Sequence, residues 1–212
     1  MFSELVDVLR CPRPHEESWL VLAARRVDGR DIVDGVLGCP VCHAEFSIVD
    51  GVARFAKLPN GTPSAGASEE EALRLVALLD LTGARGYAII VGDLGAHAPN
   101  MRELTDLQLL LVNPPADVVM GSGLSGITIG PEWTKLPVAA ASARGIALDD
   151  TTTQAQLVAG IEAVAVGSRV LSPIALPMPD GVKELARDNR HWLAERQTAP
   201  RTSGIVGLQR RR

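Results

Sequence analysis

The chain has 212 residues, enough for one large domain or for an ordinary domain preceded by a small one. Hydrophobic residues make up 46% and charged ones 22%, so a core can form, and with aromatics at 3% that core must be built from Leu, Val, Ile and Ala. A formal charge of −4 at pH 7 argues against the broad basic face that nucleic acid requires, and no run approaches the roughly 18 apolar residues that span a bilayer.

From the N-terminus, Phe2, Leu5, Val6 and Leu9 fall at helical spacing, with Ser3 as the expected N-cap. This segment carries acids early and has no apolar stretch of the export type, so a cytoplasmic protein with reduced thiols is expected. Cys11-Pro12-Arg13-Pro14-His15 follows. Trp19–Ala24 and Ile32–Leu37 read as strands joined by a turn at Val27–Arg30. After Cys39-Pro40-Val41-Cys42, a second hairpin runs from Phe46 through Asp50-Gly51 to Phe55, Asp-Gly being suited to a turn that needs positive φ.

Two cysteines separated by two residues form a knuckle that aims both sulfurs at one point, half of a tetrahedral zinc shell. The other half must come from the earlier turn, where Cys11 and His15 are the available soft ligands. Cys11, His15, Cys39 and Cys42 would then make a Cys3His zinc site. Two alternatives stay open: a metal-free module held by packing, and a redox-active Cys39/Cys42 pair.

The segments Leu9-Arg10-Cys11-Pro12, Cys39-Pro40-Val41-Cys42 and Phe46-Ser47-Ile48-Val49-Asp50-Gly51-Val52 resemble the small zinc-ribbon activators of tRNA, rRNA and protein methyltransferases and their short bacterial relatives. That resemblance covers about a quarter of the chain. It implies a β-rich zinc-ribbon-like module over residues 1–56, with a protein partner engaged through it. Pro14 and Ser47 depart from the family pattern, which has cysteine and proline there.

Residues 57–68 are rich in Pro, Gly and small side chains and read as a linker. Ser68 with Glu71 is a capping box that opens a helix expected to end at Gly83. From there strands and helices alternate, the pattern of a parallel sheet covered on both faces. Tyr87–Val91, Gln108–Val112, Gly126–Ile129, Gly145–Leu148 and Ser168–Leu171 read as strands. Pro99 opens a short helix to Leu104, and longer helices are expected over Thr151–Val166 and Asp180–Arg196. Gly204–Leu208 reads as a last strand. The fold class is therefore α/β, a Rossmann-like sheet domain over residues 69–212.

In such a sheet the turn after the first strand is where glycines let a ligand approach the backbone. Gly92-Asp93-Leu94-Gly95-Ala96-His97 occupies it, and resembles the acidic-x-Gly-x-Gly motif of class I S-adenosylmethionine-dependent methyltransferases. Leu136-Pro137 ahead of Asp149-Asp150, and Val166-Gly167-Ser168-Arg169-Val170-Leu171, are similar to that family's fourth- and fifth-strand segments. The resemblance implies a class I methyltransferase-like domain whose S-adenosylmethionine would lie against Gly92, Asp93, Gly95, His97, Asn113 and Asp149. Two positions depart: His97 stands in place of a glycine, and Asn113 in place of the acid that holds a ribose diol, where an amide lacks a carboxylate's charge assistance.

Three other patterns are set aside. Asn113-Pro114-Pro115 resembles the target-nitrogen motif of amino-group methyltransferases, but it follows the wrong strand and precedes Ala116 instead of an aromatic. Gly121-Ser122-Gly123-Leu124-Ser125-Gly126 has dinucleotide-binding spacing but leads into extended residues, not a helix. Ser125, Asp149 or Asp150, and His191 stand in hydrolase order without the glycine that a nucleophile elbow needs. The sequence thus supports a degenerate methyltransferase-like protein with a zinc-ribbon module, acting in binding or as a scaffold or regulator. The alternative is an active methyltransferase, with Asp93, Gly95 and Asn113 around the cofactor and Asp149 facing the transfer site.

Overall fold

The computed structural model describes residues 1–57, 64, 66–83, 85–121 and 123–197. Its strands are β1 (Val21–Asp28), β2 (Asp31–Gly38), β3 (Glu45–Val49), β4 (Val52–Arg54), β5 (Tyr87–Val91), β6 (Gln108–Val112), β7 (Leu124–Thr128), β8 (Ala143–Ala147), β9 (Val164–Pro173), β10 (Val182–Arg187) and β11 (His191–Arg196). The helices are α1 (Glu69–Leu79), α2 (Ala98–Leu104) and α3 (Gln154–Ala163). All these strands lie in one 11-stranded sheet, in the order β1-β2-β3-β4-β7-β6-β5-β8-β9-β11-β10. The block from β7 to β9 is parallel, and the chain's direction of travel across the sheet reverses beside β5. In a doubly wound sheet the carboxyl ends of the strands at such a reversal are the usual ligand position.

The first 57 residues continue this sheet. The hairpin β3–β4 turns through Asp50 at φ +49° and Gly51 at φ +76°, the conformation expected of Asp-Gly. Strand β4 then pairs in parallel with β7, Val52 to Gly126 and Arg54 to Thr128. Gly126 permits the approach: a Cβ there would lie 2.9 Å from Val52 Cγ2. Alternating side chains of β5 separate two cores. Tyr87, Ile89 and Val91 face a layer that holds Leu5, Leu9, Leu37 and Ile48 together with Leu157 of α3, while Ala88 and Ile90 face Leu75 and Leu79 of α1 and Met101 of α2.

Several expected elements shift. The N-terminal turn is a 3-10 helix over Ser3–Val8 with Phe2, not Ser3, at the cap. Strand β1 begins at Val21; Trp19 instead bridges Arg10, whose guanidinium lies 4.9 Å over the indole ring. Helix α1 is capped as expected by Ser68, whose Oγ accepts from the Glu71 N–H at 3.3 Å, but it ends at Asp80 and not Gly83. Asp80 takes φ +55°, and its N–H and that of buried Leu81 close onto Ala77 and Val76 carbonyls, so the buried leucine anchors the stop.

Helix α3 is shorter than Thr151–Val166. Its capping box is Thr153 with Gln156, and residues from Val164 onward belong to β9. The helix expected over Asp180–Arg196 is instead the antiparallel hairpin β10–β11. The Asp188 carboxylate accepts 2.7 Å hydrogen bonds from the N–H groups of Arg190 and His191, which turns the chain there. Trp192, on β11, is fully buried and donates its indole N–H to the Leu176 carbonyl at 2.8 Å. The last expected strand, Gly204–Leu208, lies outside the described residues. Among the described residues no helix is long and apolar enough to cross a membrane.

Candidate functional site

The glycine turn sits where the sequence places it, directly after the central strand β5. Gly92–His97 forms a 3-10 turn that runs into α2, whose first turn carries Pro99, as a proline without an N–H permits. Gly92 adopts φ +60°. A Cβ on it would lie 1.8 Å from Oδ2 of Asp149, so this carboxylate occupies the space that the glycine leaves open. Asp149 follows β8, is 6% exposed, and is fully engaged: Oδ2 accepts from the Asp93 N–H at 3.1 Å, while Oδ1 accepts from Thr151 N at 3.2 Å, Thr151 Oγ1 at 2.8 Å and Thr152 Oγ1 at 3.2 Å.

The remaining positions of this set are also engaged with protein. Around Gly95, a Cβ would meet Pro115 Cδ at 3.3 Å and Pro114 Cβ at 3.6 Å, so two prolines pack on that backbone. Asn113, at φ +51° beyond the end of β6, accepts the Ile129 N–H on Oδ1 at 2.8 Å and thereby ties β6 to the residue after β7. His97 accepts the Ser68 N–H on Nδ1 at 3.0 Å, joining the glycine turn to the cap of α1. The structure thus brings Gly92, Asp93, Asp149, Gly95 and Asn113 to one end of the sheet. Pro114 and Pro115, which the sequence offered only as a motif without its aromatic, cover part of it.

The second cluster lies in the first segment. Cys11, His15, Cys39 and Cys42 each present one ligand atom, all within 4.8 Å of one another, a set that could hold zinc. Bonds of about 2.3 Å to sulfur and about 2.05 Å to nitrogen around a tetrahedral centre imply edges of about 3.8 Å for S···S and about 3.6 Å for S···N. Cys11 Sγ to Cys42 Sγ is 3.7 Å, and Cys39 Sγ to His15 Nε2 is 3.5 Å. His15 Nδ1 lies 2.5 Å from the Glu16 carbonyl oxygen; with Nδ1 as the donor, Nε2 is the nitrogen left for a metal.

Local backbone prepares the sulfurs. Burial pushes the Cys11 thiol up to about 11, only partly offset by the Arg13 N–H directed at it. At Cys39 burial also acts upward, but the N–H groups of Cys42 and Val41 outweigh it and bring that thiol down to about 6. The knuckle closes through the His43 N–H to the Cys39 carbonyl at 3.0 Å, with His43 itself exposed at φ +56°. The longer Cys11–His15 spacing still reaches the cluster because an imidazole extends further from the backbone than a thiol.

Two methyltransferases lie among the solved structural neighbours. One is a geranyl diphosphate methyltransferase in complex with GPP and sinefungin, at TM-score 0.35 and 12% identity, covering 55% of this chain and 52% of its own. The other is the glycopeptide N-methyltransferase MtfA complexed with S-adenosyl-L-methionine, at TM-score 0.37 and 8% identity, covering 67% of this chain and 72% of its own. The chain therefore spans about half the length of the first. No family model matches the chain, and no curated protein does.

Proposed function

We propose that this is a methyltransferase-like protein whose nucleoside crevice has been given over to packing, and which works as a binding, scaffold or regulatory protein through its zinc-ribbon-like module. The observation that carries this reading is the Asp149 carboxylate seated over Gly92 and bonded on both oxygens. A cofactor that needs the open glycine backbone would have to displace a buried, multiply bonded group. It would also have to part Pro114 and Pro115 from Gly95, and it would find Asn113 Oδ1 already spent on the Ile129 N–H. These residues do not fit S-adenosylmethionine.

The cysteine cluster does fit zinc. Cys11, His15, Cys39 and Cys42 supply four protein ligands, which closes the shell, so the ion would cross-link the two turns and carry no open position for chemistry. A partner protein is the proposed target of the module. Calorimetry with S-adenosylmethionine tests the first part: no heat of binding is expected at millimolar ligand. Micromolar binding that Gly95→Trp abolishes would overturn the reading in favour of an active methyltransferase. Elemental analysis of the purified chain tests the second, with one zinc per chain expected.

A further inference from the structure

A cavity of about 770 Å³ lies where the ribbon-like segment meets the sheet. Its floor is the carboxyl ends of three mutually parallel strands: Arg54 ends β4, Thr128 ends β7, and Asn113 follows β6. Volumes of about 300–1,000 Å³ are those of small-molecule sites, and carboxyl ends of parallel strands are where such sites form in open α/β sheets. The crevice beside β5 is filled by Asp149, whereas this neighbouring space is not.

Its charge is unusual for a chain of net charge −4. Arg13, Arg54 and Lys57 line it, against one acid, Glu45. None of these three cations has an ion-pair or hydrogen-bond partner for its side chain among the described residues, whereas Arg10, Arg26, Arg74 and Arg187 are all paired. Asn113 uses its oxygen on Ile129 N–H and keeps its amide N–H groups without a protein acceptor among the described residues. An acid at that position would repel an anion; the amide can donate to one. Phe55, Pro114 and Pro115 supply apolar wall on the same cavity. Three cations and an amide donor on one cavity beside an apolar wall suit a ligand with a doubly charged head and a flat body.

The geometry points to this cavity as a binding site for a small organic phosphate monoester, its phosphate held by Arg13, Arg54 and Lys57 with the Asn113 amide, and its body against Phe55 and Pro114. Phenyl phosphate is the probe, titrated calorimetrically into the full zinc-containing chain at low salt. Saturable binding is expected, weakened about tenfold or more by Arg54→Glu and by Lys57→Glu, and unchanged by Arg25→Glu on exposed β1. Affinity should also fall below about pH 6, as the ester loses its second charge. Circular dichroism of each variant keeps the comparison among folded chains. No binding at about 10 mM, equal affinity for phenol or benzoate, or an Arg25→Glu loss as large as that of Arg54→Glu would overturn the assignment. The site shares Asn113 and Pro114 with the edge of the crevice beside β5, but Arg13, Arg54 and Lys57 lie outside that crevice, so a positive methyl-donor titration with the Arg54→Glu and Lys57→Glu losses intact would leave this result standing.

Discussion

Replacing Gly92 with alanine tests the packing of the crevice most directly. Gly92 holds φ +60°, where an alanine is strained by about 1–2 kcal/mol. Steric overlap costs more than this strain. The new Cβ would stand 1.8 Å from Asp149 Oδ2, so the carboxylate must leave, giving up its bonds to Asp93 N, Thr151 N, Thr151 Oγ1 and Thr152 Oγ1. At about 1 kcal/mol net for each, some recovered by water, that loss is about 2–4 kcal/mol. Gly92→Ala should therefore cost about 3–6 kcal/mol, a large share of the roughly 5–15 kcal/mol that holds a domain together. Asp149→Ala alone should cost about 2–4 kcal/mol for the same bonds. In the double variant those bonds are lost only once, so the double should be little worse than Gly92→Ala. The two effects should fall short of additivity by about 2–4 kcal/mol, measured from urea midpoints and slopes for wild type, both singles and the double. Additivity within about 0.5 kcal/mol would show that Asp149 does not sit over Gly92, and the account of the filled crevice would fail.

Cys42→Ser should lower bound zinc well below one per chain and make the protein sensitive to chelators; full stoichiometry in that variant would refute the ligand set. Trp192→Ala removes a fully buried indole and its bond to Leu176, and should cost about 3–5 kcal/mol in denaturant unfolding, whereas a cost under about 1 kcal/mol would contradict its burial. Burial, with Arg74 and Arg190 nearby, lowers the pKa of His191 below its ordinary 6.5, so the unfolded chain takes up its proton first on acidification. Stability from this residue is therefore complete above about pH 6.5 and declines as the pH falls from there toward the depressed value; urea midpoints across that window should slope less in His191→Gln, and an equal slope would refute the assignment.

Local chemistry was the legible part of this sequence. The Asp-Gly turn, the Ser68 cap, the apolar runs of β5 and β6 and the cysteine knuckle each depend on residues close together in the chain, so pattern alone carries them. The β10–β11 hairpin was hidden because β10 is an exposed edge strand, where little apolar alternation is required. Its Lys, Glu, Leu, Ala and Arg have good helix propensity, and only Asp188-Asn189 marked the turn. The place of the Gly92–His97 turn directly after β5 was readable, but its coverings were not. Asp149 lies 56 residues from the Asp93 N–H that it accepts, and the contact of Gly95 with the two prolines exists only once β5 and β6 are side by side.

The parallel pairing of β4 with β7 has a mechanical consequence for any attempt to take the protein apart. The amino-terminal segment is not a pendant that can swing, because its backbone is laced to the larger sheet from Val52 to Arg54. Cutting the chain near residue 65 would leave β7, with its apolar Leu124 and Ile127, as a bare margin of unsatisfied amides and carbonyls. The downstream fragment should then stick to itself, and the amino-terminal piece is best understood as a guard rail that keeps that margin out of reach.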